Sequence, residues 1–287
     1  MTTLEPRPPA SPQAATGHPL TPAEPAAPAS PVQRGLLERV VLDEQIAANR
    51  AADPRPWGLR SWLGPVVSLA ALVVISGFVA AALPGQGTGR TIGVAALSIG
   101  LELVLLAVLL AFGRPLAARG GGWATALGLD RLRASDWLPW ITGVGFAFLG
   151  RAVVGVLAFA LSDGRAANEA SNLTGGDRDL TSIIVLVLVA VLLAPVAEEL
   201  MFRGLLLRTF MHRLRFWLAA ALSSLLFGAF HMYEVDTLTG AITLACSVGM
   251  LGFVNCYLVR ITGRLTPGIM VHATYNALAV ATVLLLA

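Results

Sequence analysis

Three groups of ionisable and amide side chains stand on an apolar background in the last third of this 287-residue chain. The first is Glu198-Glu199-Leu200-Met201-Phe202-Arg203, the second Phe227-Gly228-Ala229-Phe230-His231, and the third His272-Ala273-Thr274-Tyr275-Asn276. A carboxylate with an imidazole can activate water, and imidazole and carboxamide donors can hold a developing oxyanion, so the set contains what hydrolysis of an amide requires. Helical spacing sorts the residues further. Glu199 and Arg203 stand at i and i+4 in the acid-first order that favours pairing, which leaves Glu198, about 100° around the helix, free to act as a general base. Phe227 with His231, and His272 with Asn276, also share helix faces at i and i+4.

Taken singly, each group has a plain structural reading. The glutamates can sit in interfacial water beside an Arg-rich loop, His231 can be a hydrogen-bonded core histidine, and His272 with Asn276 can be polar glue between helices. Their joint occurrence inside hydrophobic segments carries the weight, because titratable groups at membrane depth are costly and mark functional interiors.

The elements that position these residues follow from composition. The chain is 56% hydrophobic and 13% charged, far from a soluble globular balance. Its apolar residues come in blocks of about 20, the length that crosses a hydrocarbon core. The blocks run from Trp62 to Leu83, Thr91 to Phe112, Trp137 to Leu161, Leu180 to Phe202, Phe216 to Met232, Leu238 to Val259 and Leu265 to Ala287. The expectation is an all-α, polytopic bundle of about seven spans, the last four enclosing a polar catalytic cavity. Cys246 and Cys256 lie ten residues apart in one span, too far to join to each other.

All 20 basic residues are Arg. With the N-terminus inside, 16 of them fall in inside segments, three in outside loops (Arg90, Arg165, Arg178), and Arg151 within the third span. That asymmetry predicts a cytoplasmic N-terminus, so the net charge of +3 reflects topology and not nucleic-acid binding. Residues 1–34 hold nine of the 17 prolines and read as a disordered cytoplasmic tail without a cleavable signal peptide. Residues 35–60 read as a juxtamembrane amphipathic segment, lying on the membrane surface or docking on the protein. Residues 61–179 read as N-terminal membrane helices and 180–287 as the catalytic core.

The three groups resemble the EExxxR, FxxxH and HxxxN motifs, in that order, of the CAAX-processing and bacteriocin-processing (CPBP) intramembrane protease family, also called the type II CAAX prenyl protease or Abi family. The stretch Glu198 to Leu205, E-E-L-M-F-R-G-L, and the Thr262-Gly263 turn add to the likeness, which extends from Leu180 to Ala287. The resemblance implies Glu198 as the water-activating base, His231 as its partner, His272 and Asn276 as oxyanion stabilisers, and Glu199, Arg203 and Phe227 in support. The family is often named as metalloproteases. A divalent metal such as zinc could be held by Glu198, His231 and His272, but the spacing does not require one.

The expected activity is that of an endopeptidase in a bacterial plasma membrane. Its partners would be the lipid bilayer and a membrane-embedded or lipidated peptide or protein substrate. A catalytically silent scaffold or immunity factor and a small proton-coupled transporter are the alternatives. One register count is discordant: at about 1.5 Å per residue, His231 lies about 24 Å from the inner boundary, against about 15 Å for Glu198 and 12 Å for His272. Convergence therefore predicts that the fifth span tilts or begins above the membrane surface.

Overall fold

The computed structural model describes residues 35, 38–52, 60–83, 88–119, 121–161, 180–235 and 237–286. The expected tail, residues 1–34, and the loop carrying Asp163, Arg165 and Arg178 lie outside the described residues. The rest is helical: α1 (Val41–Ala52), α2 (Arg60–Ala82), α3 (Thr88–Phe112), α4 (Arg114–Arg119), α5 (Trp123–Leu127), α6 (Trp137–Leu161), α7 (residues 180–211), α8 (Phe216–Phe230), α9 (Leu238–Thr262) and α10 (Thr266–Leu286). This is the all-α polytopic bundle that the hydropathy blocks imply.

Five helical stretches are long and apolar enough to cross a bilayer: Ile92–Phe112, Ala134–Leu161, Ile183–Met211, Phe216–Glu234 and Leu238–Thr262. The apolar run of α2, Leu63–Val79, is shorter. Large apolar side chains face outward, among them Ile141, Phe146, Val156 and Phe159 along α6, as lipid-facing helices require.

The core forms around α7. Residues 201–207 of this helix are all buried, with Phe202, Arg203, Leu205, Leu206 and Leu207 inaccessible. The expected span ending at Phe202 continues nine residues further, to Met211. The reason is visible in the backbone. Leu188–Leu193 and Leu200–Leu207 are wound as π-helix, whose i→i+5 turns alternate with the α-helical segments Leu180–Val187, Ala194–Glu199 and Arg208–Met211. The first wide turn immediately precedes Pro195, where the ring cannot donate a backbone hydrogen bond, so the proline is absorbed without ending the helix. The second carries the Phe202 carbonyl, which accepts a 2.9 Å hydrogen bond from Ser223 Oγ of α8. Wide turns of this kind recur at functional sites.

Helix α8 packs on α9 at very short range, because a Cβ on Gly228 would meet the Ala245 carbonyl oxygen at 2.2 Å. Helices α9 and α10 are joined by a tight turn at Gly263, whose φ of 70° is left-handed. The Gly263 carbonyl accepts from Arg208 Nη2 at 3.0 Å, tying that turn to the end of α7.

The amphipathic segment docks on the protein. Leu42 and Ile46 of α1 are buried, Asp43 pairs with Arg260 at 2.9 Å, Gln45 Oε1 accepts from Arg208 Nη1 at 3.2 Å, and Arg50 donates to the Met211 carbonyl. Arg264 pairs with buried Asp136 at 2.5 Å and contacts Asp130 at 3.3 Å. These contacts gather α1, the segment before α6, the end of α7 and the α9–α10 turn at one end of the bundle.

Candidate active site

Glu198 and Glu199 occupy the last turn of the α-helical segment Ala194–Glu199, just before the second wide turn of α7. Both are buried. Their side chains diverge, as consecutive helical positions must, and they meet different partners.

Glu199 takes the structural part. Its Oε1 lies 3.0 Å from Arg203 Nη1, accepts 2.8 Å from Asn255 Nδ2 of α9, and lies 3.1 Å from His272 Nδ1 of α10. The Arg203 guanidinium lies 4.2 Å above the Phe227 ring. A buried ion pair is tolerated where further hydrogen bonds and close packing compensate for desolvation; here Asn255 and His272 supply the hydrogen bonds on the Glu199 side and Phe227 the packing on the Arg203 side.

Glu198 faces the two imidazoles. Oε1 is 3.8 Å from His231 Nε2 and Oε2 is 3.6 Å from His272 Nε2. Both rings are oriented from behind. His231 sits at the C-cap of α8, and its Nδ1 lies 2.9 Å from the Phe227 carbonyl, one of the groups that the end of a helix leaves unpaired. A carbonyl only accepts, so Nδ1 carries the hydrogen and Nε2 is directed at Glu198. Glu199 orients His272 in the same sense. Phe227 separates the layers: it is fully buried, edge-on to His231 at 4.9 Å and to His272 at 5.5 Å between centroids.

The depths that disagree by linear counting thus converge in space for Glu198, His231 and His272. Asn276 is placed differently. Its Nδ2 donates to the Ala190 carbonyl at 2.7 Å, in the first wide turn of α7. That contact occupies one of its two amide hydrogens. Among the described residues Arg151 meets no carboxylate: its Nη1 donates to the Tyr275 hydroxyl at 3.1 Å. Among the described residues, no three His, Cys, Asp or Glu side chains are arranged to hold a metal ion.

Three residues near the site are missing from the motif reading. Asn255, inaccessible on α9, joins Glu199 to the Gly268 carbonyl at 3.2 Å. Glu234, in the turn after α8, has Oε1 3.9 Å from His231 Nε2. Glu102 of α3 is only 4% exposed, and its charge acts on Glu198. An amide or carboxylate inside an apolar block is itself a signal, and it marks Asn255 and Glu102 in the sequence. Glu234 lies beyond the apolar run and shows no such mark.

The comparisons with known proteins fall on this part of the chain. Residues 180–278 match the family model described as type II CAAX prenyl endopeptidase Rce1-like. A curated Escherichia coli protein, named only as an uncharacterized 24.3 kDa protein, is 34% identical over 106 residues. That alignment covers 36% of this chain and 46% of the relative, so the match spans about half the relative's length. No solved structure matches the chain. The matched stretch contains Glu198, His231, His272 and Asn276 together with the side chains that orient them, and over it the chain is similar to the Rce1-like type II CAAX prenyl endopeptidases.

Proposed function

We propose that this chain is an intramembrane endopeptidase that hydrolyses a peptide bond of a membrane-associated or lipidated protein or peptide. The observation that carries the reading is the placement of Glu198, with each carboxylate oxygen facing an oriented imidazole Nε2 at 3.8 and 3.6 Å. Those separations exceed a direct hydrogen bond and suit a group that shares protons through water.

In this mechanism Glu198 takes a proton from water, and the hydroxide attacks the scissile carbonyl carbon. His231 takes that proton from Glu198 at Nε2 and delivers it to the leaving amine as the C–N bond breaks. His272, its Nδ1 held by Glu199, presents Nε2 to the oxyanion. The second amide hydrogen of Asn276 is the other donor. Glu199 and Arg203 hold His272. The distribution of Arg supports a cytoplasmic N-terminus. The Escherichia coli relative supports a bacterial host, and the five apolar helices support its membrane as the location.

The test is mass spectrometry of peptides released from host membranes, comparing the native chain with Glu198→Gln at matched expression. Glu198-dependent fragments are expected, with release lowered at least about 100-fold in the variant. The same assay with a metal chelator reports whether release needs a divalent metal. Identical peptides from both proteins would sink the catalytic reading and leave a silent scaffold.

A further inference from the structure

Helix α10 carries His272 and Asn276, and it is held from two directions. Towards α7, Glu199 fixes the His272 ring, and Asn276 Nδ2 donates to the Ala190 carbonyl at 2.7 Å. Tyr275 projects about 100° around the helix from Asn276 and meets α6 instead. There the Phe148 ring packs on the Tyr275 ring with centroids 5.1 Å apart, and Arg151 Nη1 donates to the Tyr275 hydroxyl at 3.1 Å. Trp140 Nε1 donates to Thr274 Oγ1 at 3.0 Å, and a Cβ on Gly143 would lie 2.7 Å from Val271 Cγ2.

Arg151 is the costly member of this contact. At about 1.5 Å per residue it stands about 21 Å from the start of α6 at Trp137 and about 15 Å from its end at Leu161. At that depth an arginine does not snorkel to either interface, and a charge held there marks a function. A neutral amide supplies an N–H donor without the charge. What the guanidinium adds is a charge-assisted hydrogen bond and a place over the Tyr275 ring, with Cζ 5.8 Å from the centroid. Both stiffen the hold on one side chain of α10.

The rotation of α10 matters because side-chain tips stand about 6 Å from a helix axis. A turn of about 10° therefore displaces the polar atoms of His272 and Asn276 by about 1 Å, and a misplacement of that size costs about 100-fold in rate.

We propose that Arg151 is a positioning residue of the site: through Tyr275 it fixes the rotation of α10 and so the aim of His272 and Asn276 at the oxyanion. The inference rests on the endopeptidase reading. It adds to the site a residue from α6, outside the stretch 180–278 that matches the family model.

The experiment uses the full chain in proteoliposomes and a hydrophobic quenched-fluorescent peptide whose cleavage is lost in Glu198→Gln. Leucine is at home in a membrane span, so Arg151→Leu is expected to keep or raise Tm. Its kcat is expected to fall about tenfold or more while KM stays within about twofold, the split that marks an interaction serving the transition state. Tyr275→Phe, which removes only the hydroxyl, should show the same split. The double variant should lose no more than the weaker of the two single variants, because both break one contact.

A native kcat in Tyr275→Phe overturns the proposal, even where Arg151→Leu fails to fold. So do losses that add in the double variant, and so does a loss confined to KM or to Tm. If the native protein shows no Glu198-dependent cleavage of any peptide, the endopeptidase reading has failed and the positioning role falls with it. That result differs from Glu198-dependent cleavage that is indifferent to Arg151 and Tyr275.

Discussion

His272 Nδ1 lies 3.1 Å from Glu199 Oε1, so the second carboxylate of the Glu198-Glu199 pair sets the ring that faces the first. One oxygen serves three partners, since Arg203 and Asn255 reach the same Oε1.

That sharing separates the two glutamates by experiment. Glu198→Gln is expected to abolish peptide release with little change in thermal stability. Glu199→Gln leaves Arg203 buried without its countercharge and is expected to cost about 3–5 kcal/mol of stability, as well as activity. Asn255→Ala should cost less, about 1–3 kcal/mol. Thermal unfolding in detergent, run beside the release assay, checks the order, and equal stability of Glu198→Gln and Glu199→Gln would contradict it.

Close packing around Arg203 gives a second prediction. A Cβ on Gly252 would lie 2.7 Å from Arg203 Nη2 and 3.0 Å from Phe227 Cδ1, whereas one on Gly145 meets nothing within 4 Å. Gly252→Ala is expected to lose about 1–3 kcal/mol and most of the peptide release, and Gly145→Ala neither. A Gly252→Ala protein with native Tm and turnover would show that the guanidinium is not held where the structure has it.

The docked α1 makes a third. Leu42 is inaccessible and Asp43 pairs with Arg260 at 2.9 Å, so Leu42→Asp places a charge in a closed contact and should lower Tm by several degrees. Removing residues 1–34 leaves these contacts intact and is expected to preserve activity. A large loss of turnover on that truncation would assign the tail a role in catalysis.

Acid sensitivity offers a fourth. The backbone amide of Arg131, followed by the charges of Arg133 and Arg264, holds the Asp130 carboxyl below its ordinary value of 3.8. Its folded pKa is depressed, so the stability it contributes is present above that ordinary value and is lost as pH falls through the folded one. Tm of the native protein should therefore drop more steeply below about pH 4 than that of Asp130→Asn. Parallel curves for the two proteins would remove Asp130 from the acid transition.

Much was legible in the amino acids alone. Apolar blocks of span length determined an all-helical membrane bundle, because the peptide group must be satisfied within its own helix in lipid. Spacing at i and i+4 determined that Glu199 pairs with Arg203 and that Glu198 points elsewhere, because these relations are properties of one helix. The ends of α6 and the starts of α8 and α9 fall where the blocks begin or end.

Tertiary structure decided the rest. The wide turns of α7 carry the helix past Pro195 and Gly204, and local propensity places breaks at such residues while packing overrides them. The convergence of Glu198 with His231, despite unequal linear depths, depends on how α8 and α10 lie against α7, and so does the turning of Asn276 to the Ala190 carbonyl. Asn255, Glu234 and Glu102 belong to no local pattern shared with Glu198. They reach its neighbourhood from α9, from the turn after α8 and from α3, and contacts between distant segments are set by packing geometry that no single helix encodes.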